Sequence, residues 1–559
     1  MVRTTQIFAV FLALLNNIVL GNVVPQRAIE KDQDPEILLQ RAIEALGGSD
    51  AISKVDTVML QGPQVFRTKS IPEAISLDQI DTVVVTSGGQ NITYNYYESF
   101  VRQRLDRKHT LGSLWIYGRA DLRPMEYSFI VEDAHKPFAA VVEGSYNIFA
   151  PDAPPSGYLD GEIAGYLITD AYRWDPLLVN KILTHGNFSF YKEIVDEDYE
   201  YPAVYDKTLG LSVLLDPDTF LPYIIRSYEA HPFFGNSTYD LRVYDYSEHE
   251  GVLFPQVYKT IYNSHLIITD WRVDNVVVNP KLDDTFFSAP IVERTEYDTP
   301  VYNSFNTAEI GEKYTNYLWD GPFNSTVDEL VATHWDDLPG VWALKLPELR
   351  FYRQLLLEFD DGVAIADCPP QQSRIIIEWA QKNLNKTVKY ILPTHHHHDH
   401  AMGLPDYVKA GAKAVVPDIA TNYYSKIEGI EFETYTRNKP HVMEGNGFRV
   451  VLIHMKQGIH AEDHIYALVM PTNVVENSTV IVFDADHVTR GDEILDNNDH
   501  TEMWELISSL WDYKVSENAQ IVPVHGQEPI IQLSVLINAT GFNYPSFSPL
   551  DFDITGNGR

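Results

Sequence analysis

Residues 388–405, VKYILPTHHHHDHAMGLP, join an apolar run to a helix start through four consecutive histidines, an aspartate and a fifth histidine. The run reads as a buried strand, and GLPDYVKAGA after it has helical texture, so the histidines occupy a strand-to-helix turn. A purification tag sits at a terminus, whereas this cluster lies deep inside a 559-residue chain. The surrounding fold must therefore place the turn where imidazoles can converge.

Around that turn, strands and helices alternate. RQLLLEFDDGVAIADCPP reads as a strand pair, QSRIIIEWAQKNL as a helix and AKAVVPD as a strand. GFRVVLIHM, HIYALVMP, STVIVFDADHV and AQIVPVHG follow as strands, with TEMWELISSLWDYK as a helix. The alternation predicts an α/β layered domain over 333–559, and the patternless SFSPLDFDITGNGR at its end is expected to fray. The first half has another texture. A helix over residues 37–46 is stopped by Gly47 and Gly48, and residues 55–290 then form short runs rich in Val, Ile, Tyr and Thr between turn residues. Such runs predict an antiparallel sheet of meanders. The expected division is a β-rich domain over 22–295, a polar, turn-rich linker over 296–332, and the layered domain beyond.

His395, His397, Asp399 and His400 reproduce the HxHxDH signature, and on these residues the second half resembles the metallo-β-lactamase superfamily. Downstream strand ends offer His460 in QGIHAEDHIYALVMP, Asp486 in STVIVFDADHV and His525 in AQIVPVHG, in the order of the superfamily's remaining motifs. The resemblance implies an αβ/βα sandwich preceded by a mostly antiparallel β-sheet domain. It further implies one metal on His395, His397 and His460, a second on Asp399, His400 and His525, and Asp486 bridging the two. Alternating residues of an extended turn point the same way, which fits His395 and His397 to one ion while Asp399 and His400, the expected catalytic pair, face the other. His460 departs from the usual GHTPG context, with His454 and His464 nearby, and both Asp484 and Asp486 have the parity to point inward. His396 and His398 are expected to be exposed or to lie behind the ligands, His487 to reach substrate, and Asp367 and Cys368 to serve structure at a strand end. The earlier β-rich string, from LLDPDTFLPYIIRSYEA to DNVVVNPKLDDTFFSAP, resembles lipoprotein-carrier-like modules that precede such domains in some secreted proteins.

A formal net charge of −36 disfavours nucleic acid and anionic membrane as partners, because like charges repel. MVRTTQIFAVFLALLNNIVLG has the architecture of a secretion signal over residues 1–21. Asn16 and Asn17 interrupt its apolar run before it reaches the length of a membrane span. Seven glycosylation sequons, at Asn91, Asn187, Asn236, Asn324, Asn385, Asn477 and Asn538, fit an extracellular destination, and the single Cys368 rules out an intrachain disulfide.

The chemistry expected is that of a secreted binuclear metallohydrolase. Two zinc ions, with iron or manganese as alternatives, would lower the pKa of a bound water to about 7. The resulting hydroxide would attack an ester, lactone, thioester or amide-like bond of a small molecule. Two other readings stand beside it: an iron-dependent oxygenase-type member of the same superfamily, and a non-catalytic ligand-binding protein with a structural metal site.

Overall fold

The computed structural model describes residues 34–69, 76–79, 85–111, 125–144, 156–195, 199–302, 325–349, 352–488, 500–526 and 529–557. The expected signal over 1–21, the sequon at Asn324 and most of the expected linker lie outside the described residues. The first described helix, Pro35–Ala45, is capped by the Asp34 side chain, which accepts from the Glu36 amide at 3.0 Å. It buries Leu38, Leu39, Ala42 and Ile43 and is closed by Gly47 and Gly48, both at positive φ.

Among the described residues a fourteen-stranded sheet spans residues 57–278. It is built of two antiparallel meanders joined where Thr57–Lys69 pairs with Leu266–Arg272. Two helices interrupt the expected run of strands, Gly161–Arg173 and Leu178–His185. The first starts at Asp160, whose carboxylate accepts from the Ile163 amide at 2.9 Å, and its Ile163, Ala164, Ile168, Ala171 and Tyr172 all face inward. Because tyrosine and isoleucine suit strands as well as buried helix faces, composition hid this helix while its cap and spacing encode it. Its following Trp174 stacks on Tyr258 and leans on Trp271, filling the space between helices and sheet.

The second half forms two sheets, one of seven strands over residues 331–435 and one of six over residues 441–532. The strand Phe448–His454 shows how they stack. Val450 and Leu452 join the core shared with Leu355, Leu357, Ile365 and Val415 of the facing sheet. Val451 and Ile453 instead pack under the helices His500–Asp512 and Leu533–Thr540 with Met503, Leu506, Leu510 and Leu536. With Ser373–Leu384 and Leu404–Lys409 covering the other sheet, the layers run helix, sheet, sheet, helix, the expected αβ/βα sandwich. Arg353 fastens the two sheets, its guanidinium donating to the Pro523 carbonyl at 2.7 Å and the Gly526 carbonyl at 3.2 Å.

The described part of the C-terminal stretch, residues 546–557, packs on the second half. Phe542, Tyr544 and Phe552 pack on the outer core, and Ser548 and Asp551 cap one another's turn. No described helix is long and apolar enough to cross a membrane.

The halves meet near the histidine turn. Between the strands Pro222–His231 and Gly235–His249, Phe233 and Phe234 reach into the core of the second half. Phe233 lies 5.3 Å from the His398 ring and 5.5 Å from those of Tyr423 and Tyr424. The Lys426 ammonium donates to the Phe234 carbonyl at 3.1 Å.

Candidate metal centre

The histidine turn runs from the strand Val388–Leu392 to the one-turn helix His398–Ala401. Neighbouring elements hold its backbone. The Thr394 carbonyl accepts from the Ile465 amide at 2.8 Å, the His395 carbonyl accepts from the Tyr424 hydroxyl at 3.3 Å, and the Cys368 amide donates to the His400 carbonyl at 3.0 Å. Gly403 closes the turn against Cys368, where an added Cβ would come within 2.9 Å of the Cys368 carbonyl oxygen.

Two groups of side chains converge on this frame. His395, His397 and His460 form one, and Asp399, His400, Asp486 and His525 the other, each with ligand atoms within 4.8 Å of one another. In the first, His460 Nε2 lies 3.1 Å from His397 Nδ1. In the second, His400 Nε2 lies 3.2 Å from both Asp399 Oδ2 and Asp486 Oδ2, and His525 Nε2 is 3.3 Å from Asp399 Oδ2. Asp486 Oδ2 is also 3.5 Å from His395 Nε2 and 3.4 Å from His460 Nε2, so a single carboxylate spans both groups. The seven residues expected from sequence are thus brought together.

The donor set fits divalent cations. His395 Nε2, Asp399 Oδ1 and Asp486 Oδ2 are buried without a hydrogen-bond partner, and the His400 and His525 Nε2 atoms approach to 2.9 Å. Buried polar atoms are normally satisfied, and converging imidazole and carboxylate lone pairs are satisfied by a cation. Burial, reinforced by neighbouring histidines, holds His395 and His397 well below the usual histidine range, the neutral state a ligand needs. Burial opposes charge on His400 too, but Asp367, Asp399 and Asp486 outweigh it and hold its pKa well above that range.

Residues 353–454 match the model of the metallo-beta-lactamase superfamily, a segment that includes the whole HxHxDH turn. The chain carries a metallo-beta-lactamase superfamily domain. His460, Asp486 and His525 lie beyond the matched segment and join the turn by geometry alone. Among solved structures, the chain is similar to the metallo-beta-lactamase from Hirschia baltica, with 18% identity over 39% of this chain and 99% of that one and a TM-score of 0.27. It is also similar to FIM-1 from Pseudomonas aeruginosa in its mono-zinc form, at 16% identity over 39% and 96% with a TM-score of 0.28. A flavo di-iron protein mutant from Thermotoga maritima matches at 14% identity over 38% and 60% with a TM-score of 0.29. Curated proteins give no match.

Around the ligand groups of this metallo-beta-lactamase domain, several side chains differ from expectation. His396 and His398 are both buried, which removes the exposed reading. His396 Nδ1 pairs with Asp463 Oδ1 at 2.6 Å, and His398 Nε2 with the Tyr423 hydroxyl at 3.1 Å. Asp367 does more than shape its turn: it sits at φ 71° and accepts from the Thr394 hydroxyl at 2.8 Å and from His400 Nδ1 at 2.9 Å. His487, expected to reach substrate, is 1% exposed, with Nδ1 on Asp484 Oδ1 at 2.9 Å and Nε2 3.6 Å from Glu505 Oε2. Burial opposes its charge, but Asp484 and Glu505 raise its pKa to about 10.

Proposed function

We propose that the protein is a secreted binuclear metallohydrolase, with zinc as its metal, that cleaves an ester, lactone, thioester or amide-like bond of a small molecule. One observation carries this reading. Asp486 Oδ2 lies between a three-histidine group and a group of two histidines and Asp399, the arrangement that lets one carboxylate serve two ions. Histidines with carboxylates suit zinc among the common divalent metals. Cations in such a pair supply Lewis acidity and lower the pKa of water at the site.

The chain's own groups orient and enclose this chemistry. With a cation bound, Asp367 would hold the His400 proton on Nδ1 and leave Nε2, which faces Asp399 and Asp486, as the ligand atom. Tyr352 meets the His525 ring edge-on at 5.0 Å and fixes its plane. The His460 side chain retains 17% exposure, against 0–4% for His395, His400, Asp399 and Asp486, so substrate approaches over the His460 edge. Cys368 is not a nucleophile here. It is buried and donates to the His400 carbonyl, and burial together with Asp367 pushes its thiol pKa well up.

Secretion is supported by the apolar leader and by the exposure of Asn187, Asn236, Asn385, Asn477 and Asn538. A drop in mass on glycosidase treatment of protein collected from medium, with a mature start near residue 22, is the expected result.

Elemental analysis of untagged protein grown without added metal tests the metal, with about two zinc ions or more per chain expected. Iron in their place would redirect the search to oxygen chemistry, and no metal would overturn the proposal. Asp486→Asn is expected to lower turnover of a panel of esters, lactones and β-lactams by orders of magnitude while the circular dichroism spectrum is unchanged. Binding without turnover in both proteins would instead favour a ligand carrier.

A further inference from the structure

Behind the bridging carboxylate lies a further group of ligand-type side chains. His464, Asp484 and His487 bring a ring nitrogen, a carboxylate oxygen and a second ring nitrogen within 4.8 Å of one another, and all three are buried. They belong to different elements. His464 immediately precedes the strand Ile465–Pro471, Asp484 ends the strand Ile481–Asp484, and His487 follows on the next turn.

His464 is the informative member. It is fully buried, and neither Nδ1 nor Nε2 has a hydrogen-bond partner. Its backbone is pinned on both sides, the amide donating to the Ala461 carbonyl at 3.1 Å and the carbonyl accepting from the Met455 amide at 3.0 Å. The ring stacks on His395 at 4.8 Å and 10° and lies 4.5 Å from the His487 ring, so packing fixes its plane. Its Nε2 points toward Asp484 Oδ1 at 3.9 Å, too far for a hydrogen bond and suited to a shared ion. Asp484 Oδ2 and His487 Nε2 also lack hydrogen-bond partners, the same signature as His395 Nε2 and Asp486 Oδ2 in the ligand groups already described.

An ion pair between His487 and Asp484 would account for those two residues alone. It leaves both nitrogens of the fully buried His464 without a protein partner, at odds with how buried polar groups are normally found. Glu505 lies on the far side of His487 and accepts from the Ile459 amide, so it belongs to the surroundings of His487 and not to the group around His464.

We propose that His464, Asp484 and His487 form a third divalent-cation site, of the zinc class, abutting the binuclear pair. The inference extends the metallohydrolase reading and rests on it, since His464 also groups with His395 and Asp486. A zinc-class ion is favoured by two imidazoles and one carboxylate, with water completing four-coordination.

The test is metal stoichiometry in the full chain, reconstituted with zinc and desalted, and repeated as a cobalt(II) titration followed by visible absorption. Wild-type protein is expected to hold about three ions per chain, and Asp484→Asn and His487→Gln about two, with the cobalt end point moving in step. An end point of two in the wild type would overturn the third site, assign the space around His464 to water or an ion pair, and leave the binuclear reading standing. Three ions retained in both variants would also overturn it. No ion in any of the proteins would overturn both readings together.

Discussion

Asp367 Oδ2 accepts a hydrogen bond from His400 Nδ1 at 2.9 Å, across 33 residues of chain and with both side chains fully buried. The contact fixes the tautomer and plane of the imidazole. Asp367→Ala is therefore expected to weaken metal binding about 10- to 100-fold, read by competition against a chelator of known affinity, with little change in fold. Affinity equal to wild type would show that packing alone orients His400.

His231 makes the stability of the fold depend on pH. Its Nδ1 accepts from the Phe233 and Phe234 amides at 3.1 and 3.2 Å, which requires an unprotonated nitrogen. Burial and nearby His398 hold its pKa well below the ordinary value. A folded pKa below the unfolded one means that stability is complete above roughly pH 6.5 and declines as pH falls through that window. His231→Asn keeps an acceptor in a similar place and removes the titration. Melting temperature measured from pH 7 to pH 4 is expected to fall less steeply in the variant than in wild type.

Phe233 anchors the first sheet to the second half and is fully buried. Phe233→Ala is expected to cost about 3–5 kcal/mol in denaturant unfolding, the range for a large aromatic removed from a packed core. A loss below about 1 kcal/mol would mean that the contact collapses without cost.

Cys368 offers a simple probe of burial. Its thiol is expected to resist an aromatic disulfide reagent in the native protein and to react with one equivalent once unfolded. Rapid labelling of native protein would contradict the packing at this strand end.

The histidine turn was legible because its signal is local: an apolar strand, a compact run of ligands and a helix start within eighteen residues. Asp486 and His525 were legible because each lies two residues beyond one of the parallel strands Ile481–Asp484 and Gln520–Pro523, whereas His460, in the connection between Phe448–His454 and Ile465–Pro471, was reached through the order of the motifs. Asp367 was not, since its partner His400 becomes adjacent only when the strands Val363–Ala366 and Val388–Leu392 pair. The same holds for Asp484 and His464, whose proximity depends on the register of the second sheet. The helices over residues 161–185 were obscured by tyrosine and isoleucine, residues at home in either kind of buried surface.

The aromatic hairpin tip carrying Phe233 and Phe234 has a consequence for how this architecture can be divided. His398, one position before Asp399, rests against residues supplied by the first sheet. An excised second half would keep every ligand residue and still present His398, Tyr423 and Tyr424 to water where a wall of phenylalanine had been. Grafting a different β-rich partner onto it would have to reproduce that tip, so the two parts are exchangeable only as a matched pair.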